Sequence, residues 1–397
     1  MNELPLVGVT VLDFGQVYNG PYCGFLLAQA GARVIKVESP RGETLRSRGE
    51  TTGASYPFAM LNGNKECISL NIRSARGQAL LKELVMHVDV VLENFAPGTL
   101  GRYGVGAETL RELNPALIYG SSTGYGLTGS HRDYRGMDVT IQAMTGVMSI
   151  TGEGDGPPLK AGPALADFLG GVHLYGGIVT ALYRRSRTGE GAVIDISMQD
   201  CVFPTLTTAL GAYFLAGGRQ GPRTGNRHQG LSVAPYNVYA ARDGYVAIIC
   251  IREGHWRGLA RAMGRPELAD DARFADMAAR ARNMDAVDAL VEEWTRTLDR
   301  EEIFARAQAE GVICAPVQTL EDVINDPHLH ERGSLHWHEH PRLGPIVLCN
   351  SPVRFADVDL PEVAEVPYVG AHNASVYSEF LGLGENDLAE LKQAEAI

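Results

Sequence analysis

Val9-Thr10-Val11-Leu12-Asp13-Phe14 and Arg33-Val34-Ile35-Lys36-Val37-Glu38, with a helical stretch between them, decide the fold. The first run is short and apolar and is closed by Gly15, which reads as a buried strand. Gly15 to Pro21 reads as a loop, Tyr22 to Ala30 follows helical spacing, and Gly31 stops the helix. The second run is the next strand. Strand, helix and strand at this spacing make a βαβ unit, whose strands lie parallel.

The rhythm continues outward. Leu80, Leu81, Leu84, Val85 and Val88 recur at helical spacing between Ala75 and Val88, and strands follow at Asp89 to Leu92 and Ala116 to Gly120. After Asp167 a long helix carries Phe168, Val172, Tyr175, Val179 and Leu182 on one face, and the turn Thr188 to Gly191 leads into a strand, Val193 to Ser197. The expected class is α/β, with a doubly wound parallel sheet that binds ligands at the carboxyl ends of its strands. A second helix, from about Met198 to Leu215, ends at Gly217-Gly218, and Arg219 to Gly230 reads as a linker. Beyond it the pattern changes. Tyr236 to Ala240 and Tyr245 to Ile251 flank Arg242-Asp243-Gly244, a hairpin signal. Three helical stretches lead to Gly311, then a strand, Val312 to Val317, and a helix begun by Thr319 with Asp322 three residues on. This is a smaller α+β domain. A hairpin around Pro341 to Pro345 and two terminal helices close the chain.

Composition narrows the function. The 397 residues suggest about two to three domains. Hydrophobic residues at 45% and charged residues at 21% are those of a globular protein, not of a disordered or fibrous one. The net charge of −12, with no long basic tract, argues against nucleic-acid partners. Cys23, Cys67, Cys201, Cys250, Cys314 and Cys349 form no CxxC pair, so zinc-ribbon and thioredoxin motifs are excluded. MNELPLVG has no basic n-region, and no run reaches the roughly 18 apolar residues of a membrane span. A cytoplasmic protein without a membrane partner is expected.

Several short motifs compete. Gly120 to Gly124 matches the G-x-S-x-G nucleophile elbow, but the residues after it are glycine-rich and polar, where the elbow needs a helix. Gly124 to Gly129 matches G-x-G-x-x-G and likewise opens no helix, so a loop passing close to a ligand fits better. His328, His330, His336, His338 and His340 suggest a metal, yet no Asp or Glu stands at clear ligand spacing, and solvated or edge-strand histidines fit better. Asn94 to Gly98 follows a strand, where an α/β sheet binds ligands. Asp167 stands out, at the head of a long apolar helix. It reads as a helix cap or as a covalent nucleophile, a carboxylate that the helix dipole would keep ionised at low pKa.

Seven segments, in order, resemble the class III CoA-transferases: VLDFGQVYNGP from Val11, ARVIKVESP from Ala32, VLENFAPGTLGRYG from Val91, YGSSTGYGLTG from Tyr119, YRGMDVTIQAMTGVMSITG from Tyr134, GPPLKAGPALAD from Gly156 and TGEGAVIDISMQD from Thr188. The resemblance implies a Rossmann-like large domain built from both chain ends (1–220 and 328–397), a small inserted domain (221–327) and an interlocked-ring homodimer. It implies Asp167 as the catalytic nucleophile. It places coenzyme A on Val17, Leu70, Arg73, Asn94, Arg102, Arg135, Met137 and Asp138, where the three arginines suit phosphates. Ser39 stands where some members carry a basic residue. It further implies transfer of CoA from an acyl-CoA to a free carboxylic acid, with no cofactor beyond the CoA of the substrates. Gly230 to Tyr236 lacks the glycine run of formyl-CoA transferases and is similar to members acting on dicarboxylates. Arg46, Arg48, Arg227 and His228 are candidates to hold a second carboxylate. The alternative is an α-methylacyl-CoA racemase, which would need a His before Asp138, where this chain has Met137.

Overall fold

The computed structural model describes residues 3–46, 48, 55–359, 361 and 364–397. The chain forms two compact units, one of Met1–Thr145, Pro163–Val202 and Asp326–Ile397, the other of Gly146–Gly162 and Phe203–Asn325.

The first unit is a mixed α/β structure around six strands: β1 (Thr10–Asp13), β2 (Arg33–Glu38), β3 (Lys65–Ser69), β4 (Val90–Glu93), β5 (Ile118–Thr123) and β6 (Ala192–Ser197). Their order is β3-β2-β1-β4-β5-β6, and every neighbouring pair is parallel. Valine and isoleucine fill the central strands because helices cover both faces of a parallel sheet. β3 was not apparent in the sequence. Its KECIS carries Lys65, which is buried by pairing with an acid on β1.

Helix α1 (Asn19–Gln29) starts earlier than its apolar spacing suggests, since Pro21 is compatible with a first helical turn. Helix α2 (Ala75–Leu84) is capped by Ser74, whose hydroxyl accepts the Gly77 N–H at 3.0 Å. Helix α3 (Asp138–Thr145) and the long α4 (Leu165–Thr188) follow, and α4 ends at Gly189 in the left-handed conformation. By length and composition α4 could cross a bilayer, contrary to the sequence reading. Here it packs on α1, β5 and β6, with Leu174 and Ile178 fully buried. Helices α5 (Asn373–Leu381) and α6 (Glu385–Gln393) bring the chain's end back to the sheet. Val376, Tyr377, Leu388 and Leu391 join the core of Leu80, Leu81 and Leu84, and the Tyr377 hydroxyl donates to the Ser69 carbonyl at 2.8 Å.

The second unit has an antiparallel sheet of β7 (Tyr236–Ala241), β8 (Gly244–Ile249) and β9 (Ile313–Pro316). Trp256, Leu259, Val287 and Val291 pack in its core. Four helices, not three, occupy the stretch before Gly311: Glu253–Ala262, Met277–Arg282, Met284–Thr295 and Arg300–Ala309. The single helix expected from Met198 to Leu215 is broken by a tighter turn at Phe203–Leu206, which contains Pro204. Its first part belongs to one unit and Thr207–Leu215 to the other.

Candidate active site

The strand order of the parallel sheet reverses between β1 and β4, the place where such sheets bind ligands. Two loops meet there. The Asn94 amide accepts the Gln16 N–H at 2.7 Å and donates to the Gln16 carbonyl at 3.0 Å. Val17, the next residue, has φ +62. A β-branched residue in the left-handed region is strained, and such strain gathers at functional sites.

The loop is held from below by two lysines with fully buried side chains. Lys36 pairs with Glu43 at 2.6 Å and donates to the Gly15 carbonyl, while Glu43 accepts the Val17 N–H at 2.6 Å. Lys65 pairs with Asp13 at 2.8 Å and also donates to the Pro21 carbonyl and the Asn62 side chain, each at 2.9 Å. Asp13 in turn accepts the Gly15 N–H at 2.7 Å. The sequence reading did not single out these groups. The signal was present: charged residues inside strands otherwise reading as buried require partners.

Beside the loop runs a cleft of about 840 Å³, lined among others by Gln16, Arg41, Leu70, Arg73, Phe95 and Lys392. Leu70 and Arg73 therefore lie on it directly, and Val17 and Asn94 adjoin lining residues. Arg102 lies elsewhere on the surface, its guanidinium on the Thr99 hydroxyl at 3.1 Å. Arg135 and Met137 are exposed on the segment leading into α3, with Met137 53% exposed. None of these three lines the cleft.

Asp138 and Asp167 form the second cluster. Asp138 opens α3, and its carboxylate accepts the Ala166 N–H at 2.7 Å and the Gln142 amide at 2.8 Å. It thus satisfies a free N–H at the start of α4. Asp167 is the third residue of α4 and does not cap it; the N-cap position is Ala164. Asp167 is 9% exposed as a residue, and its carboxylate accepts no hydrogen bond among the described residues. Burial, aided by the charge of Asp138, pushes its pKa up to about 7. The low pKa expected from the helix dipole is therefore corrected, because desolvation outweighs a dipole worth about 0.3–1 kcal/mol. Phe168 lies against the Tyr18 and Tyr22 rings at 6.1 and 4.8 Å and gives the site an aromatic wall. Helices α4 and α1 approach closely at Gly171, where a Cβ would stand 2.6 Å from the Asn19 carbonyl.

Other candidates resolve differently. Ser121 and Ser122 are buried within β5 and no helix follows directly, so no nucleophile elbow forms. His336, His338 and His340 lie on the strand Leu335–His340, and no metal-binding group of three or more side chains forms among the described residues. Arg46 is bound to Glu38 at 2.6 Å and lies over the Phe58 ring. Arg227 is bound to Asp285 and Asp288, each at 2.7 Å. Both guanidiniums are thus already paired with carboxylates, while Arg46 also lines a cavity of about 540 Å³. Arg48 is exposed, and His228 accepts the Gly230 N–H at 3.2 Å.

The model of a family described as CoA-transferase family III matches residues 6–373. A succinyl-CoA–D-citramalate CoA-transferase of Chloroflexus aurantiacus is 38% identical, covering 99% of this chain and 98% of that protein. A formyl-CoA:oxalate CoA-transferase of Streptomyces coelicolor is 36% identical over the whole of both chains. The crystal structure of a CAIB/BAIF family protein from Brucella suis superposes with a TM-score of 0.84 at 37% identity, covering 96% of this chain and all of that one.

Proposed function

The chain belongs to CoA-transferase family III and is a CoA-transferase, and we propose that it moves CoA from an acyl-CoA thioester to a small dicarboxylate through covalent intermediates on Asp167. The observation that carries this reading is the Asp167 carboxylate, largely buried at the head of α4 and accepting no hydrogen bond among the described residues. Desolvation raises the energy of the anion and with it the driving force for attack.

An Asp167 oxygen attacks the thioester carbonyl, the C–S bond breaks, and CoA leaves as a thiolate with an aspartyl-acyl anhydride behind it. The thiolate then attacks the Asp167 Cγ and expels the donor acid, giving an aspartyl-CoA thioester. The acceptor carboxylate attacks that thioester, and the released thiolate attacks the acceptor acyl carbon of the new anhydride. Asp167 is regenerated with no net proton change. The cleft of Arg41, Arg73 and Lys392 supplies cations for CoA phosphates, Arg41 and Lys392 compensating for the uncharged Ser39. The dicarboxylate reading rests on the Gly230 to Tyr236 loop and on the D-citramalate and oxalate named for the two relatives.

A homodimer is part of the proposal. Helix Thr207–Leu215 is apolar yet buries none of its residues, with Phe214 72% and Leu215 92% exposed, a face that a second copy would cover. Light scattering at micromolar concentration should report a dimer; a monomer would contradict it. The mechanism is tested by intact-mass analysis after mixing with succinyl-CoA alone. An adduct on the Asp167 peptide, absent in Asp167→Asn, is expected. Deuterium exchange at the α-carbon of a chiral 2-methylacyl-CoA in heavy water, without CoA exchange, would point to a racemase instead.

A further inference from the structure

Asn19 is the first residue of α1 and is 1% exposed. Neither its amide oxygen nor its amide nitrogen has a hydrogen-bond partner among the described residues. A buried amide that has lost water and gained nothing is costly, and its retention calls for a reason. Its surroundings supply one. The Asn19 Nδ2 lies against Gly170 of α4, so closely that a Cβ at Gly170 would clash with it. Gly170 is three residues beyond Asp167, on the same face of the helix. The missing side chain at Gly170 leaves the space that the amide occupies, within one helical turn of the Asp167 backbone.

We propose that the Asn19 amide is a hydrogen-bond donor for the oxyanion that forms at the Asp167 Cγ when the CoA thiolate or an acceptor carboxylate attacks it. The inference rests on Asp167 as the nucleophile. The acceptor is an Asp167 oxygen that leaves the carboxyl plane as Cγ becomes tetrahedral; at rest the amide is not bonded to it. A donor of this kind lowers the barrier without tightening ground-state binding. Asn19 is fixed by its own backbone, whose carbonyl packs on Gly171, so little reorganisation accompanies the reaction.

The test is Asn19→Leu, which keeps the approximate volume and removes the unsatisfied amide. The proposal expects kcat for succinyl-CoA-dependent CoA transfer to fall about 100-fold. KM for succinyl-CoA should stay within about threefold, and Tm should be unchanged or higher. Gly170→Ala serves if that variant fails to fold: its methyl displaces the amide without altering Asn19 and should lower kcat in the same way. A kcat within about threefold of wild type in a folded variant, or a loss carried wholly by KM, would overturn the proposal. A fall in Tm without a fall in kcat would show a structural role and also overturn it. Asp167→Asn, run in parallel, separates the two levels. If it is inactive while Asn19→Leu is normal, only the Asn19 assignment fails; if it is active, the nucleophile assignment fails.

Discussion

Replacing Asp167 by asparagine should make the protein more stable as well as inactive. In the folded chain the carboxyl has a pKa of about 7, against an ordinary 3.8. A raised acid favours the folded state in its protonated form, so stability is lost as pH rises from about 3.8 and the loss is complete above about 7. At pH 8 the ionised group therefore costs the folded state about 4 kcal/mol, at about 1.4 kcal/mol per pH unit. Asparagine removes that cost. It also leaves the head of α4 intact, because the Ala166 N–H is satisfied by Asp138. Calorimetry of wild type and Asp167→Asn at pH 5 and pH 8 should give a higher Tm for the variant, with a margin that widens toward pH 8. A helix-capping role predicts no gain at either pH, because asparagine caps a helix about as well as aspartate. A variant less stable than wild type at pH 8, or a margin independent of pH, would refute the reasoning that burial leaves this carboxylate reactive.

Other tests follow from the same geometry. The kcat/KM for acyl-CoA should rise with pH through about 7 and then level, and Asp138→Asn should move the inflection downward by removing the neighbouring charge. Glu93 is also pushed up to about 7 by burial, so Glu93→Gln is the control and should leave the inflection in place. Replacing Lys36 by methionine strands Glu43 and should destabilise the protein by about 3–5 kcal/mol in denaturant titrations. Val17→Gly relieves the left-handed strain and should raise Tm, while KM for acyl-CoA increases if the valine side chain touches CoA. Charge reversal at both Arg73 and Lys392 should raise KM for acyl-CoA at least tenfold and leave kcat nearly unchanged.

The parallel core was legible because its strands are continuous apolar runs and its helices keep the 3.6-residue period. β3 escaped because the Lys65 ion pair that permits a lysine in a buried strand lies with Asp13, distant in sequence. The break at Pro204 was a local signal, but the apolar spacing on either side overrode it. Asp167 could be found from its place before an apolar helix. Its electrostatics could not, since they depend on burial in the folded chain and, to a lesser degree, on Asp138, which the fold brings beside it from another helix. The ion pairs of Arg46 and Arg227 were not legible because an arginine's partner is set by tertiary structure. Their acids, Glu38 and Asp285 with Asp288, lie on elements that a linear reading treats separately.

The two lysines beneath the ligand loop have a chemical consequence. Activated acyl groups modify free amines without any enzyme, and a protein that handles thioesters at high local concentration is exposed to that damage first. The whole chain carries only five lysines, with arginine, which resists acylation, supplying the other 30 of its 35 cations. Lys36 and Lys65, the amines beneath the proposed thioester site, have no side-chain exposure and are engaged by carboxylates. Incubated with excess succinyl-CoA, the protein should acquire N-succinyl groups at Lys82, Lys160 and Lys392 and remain unmodified at the two amines beneath the loop. The amines under the loop are thus passivated by burial and pairing, whereas Lys392, on the cleft wall, stays open to the reagent.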